Sequence, residues 1–234
     1  MIHYVTRLLS FHPHTLEVIS STLRLPTISQ LIFPAKLLTG MDSRILLGSA
    51  KQFNLSIVPN EFFKETSIQF SLYAENGIEL YMGISTENTL DLITPNVVGL
   101  KFTSEHIQAG SISLEILKSL FLETVPNFQV HHGSVYDQQT TRRLQQLTRR
   151  YLKDSKHRCY PLELHWINYF GGPMLNLLGR GRFSNLHTCS EMYKLHDGIM
   201  VILQAEPYDE SNPDHRSRQA QAEQEMRFDE LLES

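Results

Sequence analysis

Two short patterns in this 234-residue chain place metal-ligating side chains two residues apart: His157-Arg158-Cys159 and His187-Thr188-Cys189. On an extended backbone, residues i and i+2 point to the same side, so each pair could offer two ligands. Together the pairs would make a Cys₂His₂ tetrahedral zinc site. Structural zinc sites mostly separate their ligands by two or more residues, and soft ligands alone are weak grounds for a metal. Two cysteines near surface histidines is the favoured reading, and no cofactor is expected.

Other reactive patterns are thinner. His12-Pro13-His14 and His131-His132 have no cluster of acids near them in sequence, and adjacent residues on a strand face opposite ways. No Gly-x-Ser-x-Gly elbow presents a serine. A cysteine nucleophile at Cys159 or Cys189 served by His165 stays open. Gly179-Arg180-Gly181-Arg182 lacks the glycine spacing of a phosphate loop, and Gly179 reads better as a helix terminator. A nuclease centre on Pro213-Asp214 would need a lysine downstream, and none follows Lys194.

The elements that would position these residues can be read from periodicity. Ile68, Phe70 and Leu72 alternate with polar residues, and Asn76-Gly77 supplies the two positive-φ positions of a type I′ turn, so Ser67–Ser85 is a β-hairpin. A second hairpin is expected from Cys189 to Ala205, turning at His196-Asp197-Gly198. Strands are expected at Leu55–Val58, Val97–Phe102, Phe128–His132 and Leu162–Tyr169. In the last of these, Leu162, Leu164, Trp166 and Asn168 share one face and Glu163, His165, Ile167 and Tyr169 the other. That gives Trp166 to a core, where its indole N–H needs an acceptor. Helices are expected across Thr15–Ile32 with a break at Pro26, at Ser113–Leu122 stopped by Pro126, and at Thr140–Lys153. Two more follow: Pro173–Leu178, and a last one from Pro213, capped by Ser211 or Asn212 and carrying Met226, Leu231 and Leu232. Hairpins outnumber crossovers, so the fold class is α+β with a largely antiparallel sheet flanked by helices. A polar seam at Asp154–Arg158 would divide an N-terminal α+β region (1–155) from a C-terminal strand–helix–hairpin–helix unit (156–234), either as two domains or as one continuous domain.

Composition bounds the function. With 41% apolar and 20% charged residues the chain is globular, and it has no apolar run long enough to span a bilayer. The first ten residues carry one cation and a short apolar patch, so no secretory signal is expected. Two cysteines make no disulfide framework, which points to the cytoplasm. A net charge of −4 gives nucleic-acid binding no support. Seven cations between Arg142 and Arg158 face one acid, Asp154, whereas nine acids from Glu206 onward face three arginines. Within that acidic tail Glu206, Asp209, Glu210 and Asp214 form a candidate docking surface for a basic partner.

The run Pro161-Leu-Glu-Leu-His-Trp-Ile-Asn-Tyr-Phe-Gly-Gly172 leads into Met174–Gly179, then Arg182-Phe183, Gly198–Leu203 and Glu206-Pro-Tyr-Asp209. This order resembles the bacterial immunity proteins of polymorphic toxin and type VI secretion systems, in particular the immunity protein 52 family. The likeness covers residues 161–209, about a fifth of the chain, and its signature positions are Trp166, Asn168, Tyr169, Gly171 and Gly179. The resemblance implies a non-enzymatic antitoxin that occludes one cognate toxin, a nuclease with a restriction-endonuclease-like fold, without cofactor, nucleic acid or membrane. A metal- or cysteine-dependent hydrolase and a secretion-system adaptor are the competing readings.

Overall fold

The computed structural model describes residues 1–40, 44–51, 63–64, 67–85, 96–139 and 163–230. The chain falls into two compact units. One comprises Met1 and Val5–Val130, the other Ile2–Tyr4 and His131–Ser234. The expected seam at 154–158, the strand at 55–58 and the helix at 140–153 lie outside the described residues.

In the first unit the sheet order is β1 (His3–Ser10, of which Val5–Ser10 belong here), β7 (Asn96–Thr103), β6 (Glu79–Ser85), β5 (Ser67–Ala74), β2 (Ala35–Thr39) and β3 (Arg44–Ala50). A short strand, β4 (Phe63–Lys64), pairs with the start of β5. The pairs β2–β3, β2–β5, β5–β6 and β6–β7 are all antiparallel. The chain is α+β, as its pattern of hairpins and helices requires. α1 (Leu16–Leu23) and α2 (Pro26–Ile32) pack on α4 (Leu114–Phe128), α2 also packs on β5, and α3 (Ser104–Gln108) follows β7 directly. Pro26 opens α2 and so divides the expected long helix in two.

The first hairpin forms where expected but turns differently. Tyr73 pairs with Glu79 and Ala74 N–H donates to Ile78 O at 2.9 Å, which leaves a three-residue loop, Glu75–Gly77. Gly77 alone is left-handed (φ 94°), while Asn76 keeps a negative φ. The turn is the three-residue kind, in which one left-handed glycine restores the strand twist. Two other expectations are also corrected. α4 runs through Pro126 to Phe128, because a proline in the last turn forfeits few helical hydrogen bonds while Val125 and Phe128 gain full burial. Phe128 therefore ends a helix, and the next strand, β8, begins only at His132 and runs to Asp137.

In the second unit the order is β10 (Glu191–Leu195), β11 (Gly198–Ile202), β9 (Ile167–Phe170), β8, with antiparallel pairing throughout. α5 (Gly172–Leu178), a 3₁₀ segment (Arg180–Asn185) and α6 (Pro213–Glu225) complete it. Asn212 caps α6 by accepting from Asp214 N–H. The core gathers Leu164, Phe170, Leu175, Leu178, Phe183, Val201, Leu203 and Met226. The expected strand over 162–169 is shorter, running Ile167–Phe170, and all residues from Glu163 to Gly171 are buried. Its two faces do not divide into an inner and an outer one: His165 and Tyr169 are covered like Trp166.

Candidate functional site

Trp166, Asn168 and Tyr169, singled out in the sequence, make internal hydrogen bonds in the second unit. Trp166 Nε1 donates to Gln204 O at 3.0 Å, the acceptor its burial requires. The Asn168 amide closes on His165 from both ends, accepting from its N–H at 2.8 Å and donating to its C=O at 2.7 Å. Asp197, in the β10–β11 turn, accepts from the Tyr169 hydroxyl at 2.9 Å and from Gly172 N–H at 3.2 Å. Burial first, and the Asp197 carboxylate second, raise the Tyr169 phenol above its ordinary range, so it stays a donor. Gly171 N–H donates to His131 O at 2.9 Å, and Gly179 (φ 88°) ends α5. Any side chain at Gly198 would run into Phe170 O and the Tyr169 ring.

The candidate ligands are scattered in role. Cys189 is a half-buried free thiol, raised by burial and further by Glu225, which disfavours the thiolate that metal binding or nucleophilic attack needs. His187 is exposed, and its N–H together with Thr188 N–H and Oγ1 donates to Glu225. Those bonds, led by the Thr188 hydroxyl, hold the Glu225 carboxyl down at about 2. His157 and Cys159 lie outside the described residues, among which no group of three His, Cys, Asp or Glu side chains is placed for a metal.

The four acidic candidates divide. Glu206 and Asp214 are exposed. Asp209 instead accepts from Ser211 N–H (2.8 Å) and Oγ (2.6 Å). Glu210 is 9% exposed, accepts from the Tyr208 hydroxyl at 3.3 Å, and through its N–H donates to Asp137 at 2.6 Å. Glu225 and Asp197, two of the carboxylates that fix backbone in this unit, carry no local signature in the sequence because their partners are 25 to 38 residues away along the chain.

The first unit carries an open surface that sequence alone did not single out. Strand register places Arg44, Thr39, Ser71, Tyr81 and Gly99 in one row across five strands. A parallel row runs Leu46, Leu37, Tyr73, Glu79, Lys101, and a third Gln69, Gly83, Val97. Glu79 accepts from Ser71 Oγ and Lys101 Nζ, each at 2.8 Å. Tyr81 donates to Thr6 O at 2.8 Å and lies over Gly99, whose missing Cβ leaves the ring its space. Lys101 Nζ sits 5.2 Å from the Tyr81 ring centroid. Beside this network is a shallow hollow of ≈ 350 Å³ walled by Thr39, Gln69, Ser71, Tyr81, Gly83 and Val97. Leu46 is 81% exposed on the same face.

No protein-family model matches this chain, and no curated protein matches it. The immunity-protein resemblance therefore rests on its residues. Among solved structures the chain is similar to the Pseudomonas aeruginosa T6SS protein PA0821, with a TM-score of 0.66 and 9% identity over 97% of this chain and 73% of that one. At that identity the likeness is one of fold, and the shared fold is that of a type VI secretion system protein.

Proposed function

We propose that this chain is an immunity protein associated with type VI secretion, a cytoplasmic binder that occludes one cognate toxin, a nuclease, and performs no chemistry of its own. The observation that carries the reading is the use made of its reactive side chains. Glu225, Asp197, Asn168, Asp209 and Glu210 are spent on backbone and side-chain hydrogen bonds within the second unit, as a scaffold requires. The fold shared with a T6SS protein and the Trp166–Tyr169 signature support the same reading. No described helix is long and apolar enough to cross a membrane.

Co-expression with the product of the adjacent gene tests the proposal. Rescued growth together with a stable complex on size exclusion is expected. An adjacent product that stays toxic, or is neutralised without ever forming a complex, would refute it.

A further inference from the structure

Resting on that reading, we propose that the toxin docks on the open face of the first unit's sheet, seating an apolar side chain in the hollow over Gly83 and a carboxylate against Arg44. Three observations carry this. The face is preorganised: Glu79 is fixed by Ser71 and Lys101, and Tyr81 by Thr6 O, so little side-chain freedom is left to lose on binding. It is of the composition that interfaces favour, with Tyr73, Tyr81 and Arg44 on one surface and Leu46 in water beside them.

The third observation is charge, and it decides the partner's chemistry. The face's one carboxylate among these rows, Glu79, is consumed by Lys101 at 2.8 Å. Arg44 makes no ion pair among the described residues and stands in register with Thr39 and Ser71, which wall the hollow. A guanidinium with no ion pair among the described residues, beside the hollow, fits an acidic segment that presents an aliphatic or aromatic side chain. The hollow is open at Gly83 because that residue lacks a Cβ: one built there would already press on Val97 Cγ1 at 3.3 Å.

The experiment uses the full-length chain and the toxin that the wild type neutralises in co-expression, with affinity measured by calorimetry and folding checked by thermal melts. Arg44→Glu and Gln69→Trp both change solvent-exposed side chains, and a Trp at 69 would fill the hollow. Each should weaken binding at least tenfold with an unchanged melt, and the Arg44→Glu deficit should narrow as salt rises. Glu206→Lys with Asp214→Lys serves as the comparison on the second unit. Affinities within twofold of wild type for both sheet variants overturn the assignment and leave the immunity reading intact. A loss confined to the Glu206/Asp214 variant overturns it in favour of the acidic tail. A wild-type homodimer that Gln69→Trp dissociates assigns the face to a second copy instead. Failure of the wild type to neutralise any adjacent toxin removes the reading on which the assignment rests.

Discussion

The two faces of the first unit's sheet differ by one residue of register and by almost everything else. On one side Leu38, Leu72, Leu80 and Leu100 line up across four strands, each fully buried. On the other, one position along, stand Thr39, Ser71, Tyr81 and Gly99. Side chains alternate along a strand, so a one-residue slip would exchange the two sets and put leucines in water. The leucine face fixes the register. The tyrosine face is then presented with its geometry set, the condition under which a surface can serve a partner.

That contrast can be broken by degrees. Leu80→Ala opens a cavity in the covered face and should cost about 2–5 kcal/mol, read as a lowered denaturant midpoint. Gly99→Val forces a side chain against Thr6 O and the Tyr81 ring. It should cost roughly 1–3 kcal/mol by overpacking and also displace Tyr81, visible in its NMR ring shifts. Tyr81→Phe removes one hydrogen bond to Thr6 O and should cost about 1 kcal/mol, with the hollow's shape retained.

A pH-dependent effect is confined to a window. His14 is buried against Phe128, with ring centroids 4.3 Å apart. Burial first, and the neighbouring His12 second, lower its pKa to about 4, although a hydrogen bond to the Phe128 backbone pulls the other way. The unfolded chain therefore binds a proton at this site between pH 6.5 and about 4 that the folded chain does not. Its contribution to stability is complete above pH 6.5 and is lost as pH falls toward 4. A pH series of melts should lose part of its slope in that window in His14→Gln. The smallest effect belongs to Arg44→Glu, within about 0.5 kcal/mol of wild-type stability. An unfolded Arg44→Glu protein would show that the open face is structural after all.

Sequence showed the elements more readily than the surfaces they build. The alternation of Ile68, Phe70 and Leu72 placed a hairpin correctly, and Trp166 found the buried acceptor it required. The turn type is not legible locally, because Asn-Gly is compatible with more than one loop length and only the Tyr73–Glu79 register decides between them. The 162–169 stretch read as a two-faced strand because alternation cannot show that both faces are covered. The open face was illegible for a different reason. Arg44, Thr39, Ser71 and Tyr81 are adjacent only through strand pairing, and no local pattern joins them. Likewise Asp209 and Glu210 looked like free surface acids, whereas Ser211, Tyr208 and the Asp137 contact commit them internally.

Neutralisation on the proposed reading works by occupancy and not by turnover. This is tested most directly by titrating the purified chain into a fixed amount of the adjacent toxin while following the toxin's nuclease activity. Inhibition that rises linearly and completes at one equivalent is the predicted result. Complete inhibition at a small fraction of an equivalent, or undiminished activity in excess, would contradict it.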